Sequence, residues 1–253
     1  MTPVKPKRAY NRKITAKASS KTVNKGGTIE SLPVTNDPIV EFYDNFLDHL
    51  KVDHKRDNPR HLHIKQKLGS IISYKNTVLD LGCGTGITSV FMARLGAVVT
   101  AVDISPKLIE FAKEHSAHKN ITYMIADNCD IILGKKFDVI VMADVLEHIP
   151  PDKVISFLST VEAHSHDHTT VYLNIPDARF QVVMKQELSG MQQIVDEVIP
   201  LEDILGNFKH IGFEAVNIEM YGLDTRYQYT DIIFMRFEEL KRIHMDFVRK
   251  MKG

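Results

Sequence analysis

The chain has 253 residues, 43% of them apolar and 25% charged, with a formal net charge of zero. No apolar run approaches the length needed to cross a bilayer, and the N-terminus lacks the apolar core of a secretory signal, so membrane insertion and secretion are not expected. The two cysteines, Cys83 and Cys129, stand in neither a disulfide nor a metal-binding spacing. A reducing compartment, the cytoplasm, is the expected location.

The neutral balance hides an uneven distribution. Residues 1–29 carry eight Lys or Arg and no Asp or Glu, which leaves the rest with eight more acidic than basic side chains. This opening segment also lacks apolar periodicity and is rich in Lys, Ser, Thr and Gly, so residues 1–36 are expected to form a disordered basic tail. Such a tail is a solvated extension, a grip on nucleic acid, or a targeting segment. Patterned sequence begins at Asp37 and is expected to form one domain over 37–253.

"DPIVEFYDNFLDHL" opens with an Asp cap and Pro38, then places Ile39, Phe42, Tyr43, Phe46, Leu47 and Leu50 on one helical stripe. "NPRHLHIKQKLGSII" repeats the recipe from Asn58 and Pro59. The period then changes. Strand-like runs alternate with helical ones: "NTVLDLG" and a helix to Leu95, "AVVTAVD" and "SPKLIEFAKEHSAHK", "ITYMIAD", "KFDVIVMAD" and "PPDKVISFLSTVEAH", and finally "TTVYLNIP". This alternation predicts an α/β fold, a mostly parallel Rossmann-like sheet covered by helices on both faces. A helix near 200–210 follows, then "FEAVNIEMY" and "YTDIIFMRF" with only a loop between them, which calls for antiparallel pairing or separation in the sheet. "FEELKRIHMDFVRKMK" closes the chain as an amphipathic helix.

In a parallel sheet of this kind the ligand lies beyond the carboxyl ends of the strands. The residues found there form a consistent set: Asp80 and the glycines Gly82, Gly84 and Gly86 after strand one, Asp103 after strand two, Asp127 and Asn128 after strand three, Ala143 and Asp144 after strand four. Glycines admit a ligand close to the backbone, and a carboxylate at Asp103 is placed to accept hydrogen bonds from two ribose hydroxyls. The dinucleotide fingerprint G-x-G-x-x-G is broken by Ile87, and Asp80 repels a pyrophosphate. A cationic ligand with an amino group and no phosphate fits better, which describes S-adenosylmethionine.

"VLDLGCGTG", "VDIS", "IAD" and "FDVIVMADVLEHIPP" resemble, in order and spacing, the motifs of class I S-adenosylmethionine-dependent methyltransferases. The resemblance implies seven strands in the order 3-2-1-4-5-7-6 with the seventh antiparallel. It also implies that Gly82, Cys83, Gly84 and Asp80 lie by the methionine portion of the cofactor, Asp103 by the ribose, Ile104, Asp127 and Asn128 by the adenine, and Ala143 by the methionine. The D-x-x-E-H element of Asp144, Glu147 and His148 resembles that of ubiquinone-pathway O-methyltransferases and of small-RNA terminal-ribose methyltransferases. In the RNA enzymes this element binds a divalent ion, so a metal site on these three residues stands beside a metal-free catalytic role. His148 is the candidate general base, against a purely structural role at the turn before Pro150. No D/N-P-P-aromatic tetrapeptide follows strand four, which argues against exocyclic base amines as acceptors.

The first helices, over 37–75 with Tyr43, Arg60, His61 and His63, are expected to form a lid. "NPRHLHI" is similar to an "NPLRL"-like segment near the cofactor in the ubiquinone-pathway enzymes, with His61 where they have Arg. The segment 176–204 is expected on the acceptor side, with Arg179, Gln181, Lys185 and Gln192 as substrate-binding candidates and Gln186 and Asp196 as further polar groups able to bind hydroxyls; its "QQIVDEVIP" resembles methyltransferases of polysaccharide and sugar pathways. "HSHDH" at 164–168 is read as a solvated loop rather than a metal cluster. The expected activity is O-methylation of a hydroxylated small molecule or glycan. The alternatives are a nucleic-acid methyltransferase using residues 1–29 and a non-catalytic cofactor-binding subunit.

Overall fold

A computed structural model of the chain describes residues 37–55, 58–188 and 193–252. The segment 1–36, with the tail expected there, and Gln192 lie outside the described residues.

The sheet contains β1 (Thr77–Leu81), β2 (Val98–Asp103), β3 (Ile121–Ile125), β4 (Phe137–Ala143), β5 (Ser165–Pro176), β6 (Phe213–Tyr221) and β7 (Tyr229–Arg236). Their order is β3-β2-β1-β4-β5-β7-β6. The pairs from β3 to β5 are parallel, and β7 runs antiparallel to both β5 and β6, the arrangement that the family resemblance implies. A parallel crossover needs a dozen or more residues, and β6 and β7 are separated by a short loop without a helix, so they pair as neighbours of opposite direction.

Eight helices accompany the strands among the described residues: α1 (Pro38–Lys55), α2 (Pro59–Ile71), α3 (Ile87–Arg94), α4 (Pro106–His115), α5 (Val154–Ala163), α6 (Ala178–Glu187), α7 (Leu201–His210) and α8 (Phe237–Lys252). Their starts follow local chemistry. The Asn58 side chain accepts from the His61 amide ahead of Pro59, Ser105 accepts from the Leu108 amide ahead of Pro106, and Asp177 accepts from the Arg179 amide. Each satisfies a donor that the first helical turn leaves free, worth about 1 kcal/mol.

Alternation along the strands divides the core into two layers. Leu79 and Leu81 of β1, Ile140 and Met142 of β4, and Val171 and Leu173 of β5 face Phe157 and Val161 of α5 and Ile204 and Phe208 of α7. Val78, Val139, Val141 and Tyr172 face the other way, onto Ile64 and Leu68 of α2, Met92 of α3 and Ile109 of α4. Fully burying one such side chain stabilises the fold by roughly 1.5–3 kcal/mol, so both faces of the sheet contribute. Asp80 falls on the second face by the same alternation, which aims its carboxylate at α3 rather than at open solvent.

One element differs from expectation. "HSHDH" is not a loop: β5 begins at Ser165, four residues before the run "TTVYLNIP". His164 ends α5 buried, its Nδ1 donating to the Thr160 carbonyl at 2.7 Å while its Nε2 accepts from the Leu133 amide at 2.9 Å. The chain then extends directly, with Ser165 beside Phe137 and a register shift before Val139. Thr169 steadies the irregular stretch by donating to the Phe137 carbonyl and accepting from the His166 amide. His166 and His168 pair separately with Asp138 and Glu239, so the three imidazoles do not converge.

Candidate active site

A cavity of about 520 Å³ lies at the carboxyl ends of β1 to β4. Its floor is the turn between β1 and α3. Gly82 and Gly84 hold φ of +70° and +53° there, in the left-handed region that glycine adopts without strain. A Cβ on Gly82 would stand 2.5 Å from the Val145 side chain, whereas one on Gly84 would meet no atom within 4 Å. Gly84 lines the cavity, so that open space is where a ligand can lie against bare backbone. Gly82→Ala is therefore expected to combine left-handed strain with a clash, at a cost on the order of 1–3 kcal/mol for the backbone alone. A thermal unfolding midpoint equal to that of the parent chain would contradict this reading.

The strand-end acids have distinct surroundings. Asp80 is buried; its Oδ2 accepts from Ser89 Oγ at 2.6 Å and Thr88 Oγ1 at 3.2 Å, and burial raises its pKa to about 6. Asp103 accepts from the Gly84 amide at 2.8 Å and the Ser105 amide at 2.9 Å, so this carboxylate clamps the glycine turn to the end of β2 as well as facing the cavity. Burial raises its pKa despite those bonds. Asp127 is committed to the Cys129 amide and to Lys153 Nζ at 3.1 Å. Beside it, Asn128 is buried and its Oδ1 has no partner within the protein. Cys83, Ile104 and Ala143 complete this side of the cavity.

Helix α1 forms the opposite wall through Ile39, Tyr43, Phe46 and Leu50, residues spaced to lie on one face. It is fastened at two points. Asp44 Oδ1 accepts from Ser105 Oγ at 2.5 Å and from the Lys107 amide at 3.2 Å, at the start of α4, where the helix dipole favours a carboxylate. His54 Nε2 donates to the Thr85 carbonyl in the glycine turn at 3.1 Å. His61 of α2 also lines the cavity, with Nδ1 buried and unpartnered, and burial lowers its pKa.

Beyond Ala143 the chain enters the D-x-x-E-H element. Asp144 has φ +55°, a conformation uncommon outside glycine that clusters at functional sites. Its Oδ2 lies 3.4 Å from Arg60 Nη1, and Oδ1 has no partner. Residues 146–148 form a single 3₁₀ turn. Glu147 is buried with Oε2 unpartnered, and burial, reinforced by Asp144, raises its pKa well above the usual carboxyl range. His148 Nδ1 lies 2.7 Å from the Val195 carbonyl. A carbonyl only accepts, so Nδ1 carries the hydrogen and Nε2 of the neutral ring keeps its lone pair. Burial lowers the His148 pKa, favouring that neutral form. Arg60 occupies the flank of Asp144, and among the described residues no group of three His, Cys, Asp or Glu is arranged to hold a metal ion, the Asp144, Glu147 and His148 set included.

The segment 176–204 reaches the cavity by only one of the polar residues expected there. Asp196, expected there, lines it, and so does Gln193, which was not. Arg179 instead folds back on Asp177 at 2.9 Å and lies largely in solvent. Gln181 is buried and donates to Asp196 Oδ1 at 3.1 Å, and Lys185 Nζ donates to the Asp196 carbonyl. These two hold the segment in place and do not line the cavity. The Glu197 amide bonds the Glu147 carbonyl at 2.8 Å, which ties the same segment to the 3₁₀ turn. Sequence reasoning overlooked Val195, whose role is a backbone carbonyl, and Gln193, one position from the candidate named.

Nine buried side-chain atoms among the described residues have no partner within the protein, and those of Tyr43, His61, Asn128, Asp144, Glu147 and Gln193 all border this cavity. Buried polar groups are normally satisfied, so their convergence marks a ligand site. Backbone open at Gly84, an acceptor at Asn128 and a carboxylate at Asp103 suit a nucleoside with hydroxyls and an exocyclic amine.

This sheet order, with a glycine turn after the first strand and an acid after the second, defines a class I S-adenosylmethionine-dependent methyltransferase. A family model described as a methyltransferase domain matches residues 52–218, and the chain belongs to that family. Ubiquinone biosynthesis O-methyltransferases are similar over a limited stretch. The mitochondrial protein of Schizosaccharomyces pombe is 42% identical over 92 residues, 34% of either chain. The protein of Glaesserella parasuis is 39% identical over 109 residues, 39% of this chain and 45% of its own. The chain thus spans about a third of the length of the curated relatives it matches first. Magnesium protoporphyrin IX methyltransferase from Synechocystis, solved with bound SAH, superposes with a TM-score of 0.62 at 21% identity over 78% of this chain and 98% of its own. Among the described residues no helix is long and apolar enough to cross a membrane.

Proposed function

We propose that the chain methylates a hydroxyl oxygen of a small molecule. The observation that carries this reading is the orientation of His148: its Nδ1–H is held by the Val195 carbonyl, which leaves Nε2 as a base in a cavity lined by the cofactor-side residues. When bound, S-adenosylmethionine supplies a methyl group activated on a sulfonium, with a neutral thioether as leaving group. Asp103 binds the ribose hydroxyls, Asn128 accepts from the adenine amine, and Gly82, Cys83, Gly84 and Ala143 pack on the methionine portion. His61 Nδ1 serves its carboxylate end. Positioning then supplies much of the acceleration. Transfer would exchange the methyl C–S bond for a C–O bond, and His148 Nε2 would take the proton released as the acceptor O–H bond breaks. Similarity to ubiquinone biosynthesis O-methyltransferases supports oxygen as the acceptor atom. In this reading 37–75 covers the cofactor, 176–204 faces the acceptor, and 1–36 is a basic appendage to a domain over 37–253.

Methyl-labelled S-adenosylmethionine offered with catechol, glucose or an RNA oligonucleotide in parallel tests this assignment. Label is expected in the methyl ether of catechol. Label in the sugar or the oligonucleotide alone, or in none of the three, would overturn it.

A further inference from the structure

Tyr43 is a buried hydroxyl that the mechanism above leaves unused. Its Oη has no partner within the protein, although the residue lines the cavity and its ring stands edge-on to His148, 6.3 Å between centroids. Interior hydroxyls normally find a partner, so an unpaired one facing a ligand site is placed for the ligand. The same cavity is also lined by Asp144, Glu147 and Gln193, each with an unpartnered buried oxygen.

We infer that Tyr43 donates a hydrogen bond to the reacting hydroxyl oxygen of the acceptor, a catalytic contact opposite His148. This rests on the proposed O-methylation. In that arrangement the hydroxyl donates its proton toward His148 Nε2 and accepts from Tyr43 Oη, leaving one lone pair for the methyl carbon. The phenol is suited to donating because it holds its proton: burial first, then the neighbouring carboxyl groups led by Asp103, raise its pKa. As the proton leaves, charge builds on the acceptor oxygen, and a fixed donor in a buried site stabilises that charge more than it does the neutral ground state.

The test is Tyr43→Phe, which keeps the ring and its contact with His148 while removing only the donor. With catechol as acceptor, kcat/KM is expected to fall at least about tenfold, with SAH affinity by calorimetry within about twofold of the parent and the acid limb of the pH–rate profile retained. Native kcat/KM in the variant overturns the inference. So does a parallel loss of SAH affinity, which would place the hydroxyl on the cofactor. If the parent chain transfers no methyl to catechol, the proposed acceptor class itself fails, an outcome distinct from a parent that is active and a variant that is equally so.

Discussion

His148→Ala and His148→Gln are each expected to lower kcat by about 10²- to 10⁴-fold, the usual contribution of a positioned general base, with little change in SAH affinity. Gln keeps a donor for the Val195 carbonyl but has no basic nitrogen, so it separates the base from the prop. The pH dependence follows from the same atoms. The base is the neutral imidazole, and burial lowers its pKa below the ordinary histidine value, an effect that the Val195 carbonyl, Asp144 and Asp196 oppose and Arg60 reinforces. Activity should therefore persist at neutral pH and fall as the pH drops through that lowered pKa, when protonation consumes the lone pair on Nε2. The limb should vanish in either variant. Near-native kcat in both would make His148 structural and send the proton to water.

Asp103→Ala is expected to weaken SAH binding by roughly 1.5–3 kcal/mol, the scale of hydrogen bonds to a charged acceptor, which corresponds to about ten- to a hundredfold in affinity. The same change deprives the Gly84 and Ser105 amides of their acceptor, so the glycine turn loses its clamp to β2. A lower unfolding midpoint should accompany the weaker binding. Asp103→Asn keeps one acceptor oxygen, and a smaller loss in both measurements is expected. Calorimetry that finds unchanged affinity in a folded Asp103→Ala chain would sink the ribose assignment.

The sheet was legible because the apolar runs before Gly82, Asp103, Asp127 and Ala143 alternate with amphipathic helices, and that periodicity survives in the layers on either side of β1 and β4. Strand-end acids were legible for a related reason, since the ends of parallel strands point to one place. The order of the strands came with the family resemblance instead. What escaped was chemistry carried by backbone. Val195 is an apolar side chain whose carbonyl sets the tautomer of a candidate base, and no residue-type pattern announces a carbonyl. The substrate candidates of 176–204 illustrate a second loss: Arg179 closes on its own helix cap and Gln181 on Asp196, because polar side chains near one another in a folded segment satisfy each other first. The long β5 escaped because histidines rarely signal a strand, and its irregular start is held by the Thr169 side chain rather than by apolar alternation.

The two fastenings of α1 bear on turnover as well as on shape. Asp44 grips the start of α4 and His54 grips the glycine turn, the same two places that bracket Asp103. A molecule seated between α1 and the strand ends is therefore expected to leave when those grips open. Spent cofactor must depart before fresh cofactor arrives, so removing either grip, by Asp44→Ala or His54→Ala, is expected to speed release of SAH, and an unchanged dissociation rate in both variants would leave α1 with a purely structural part.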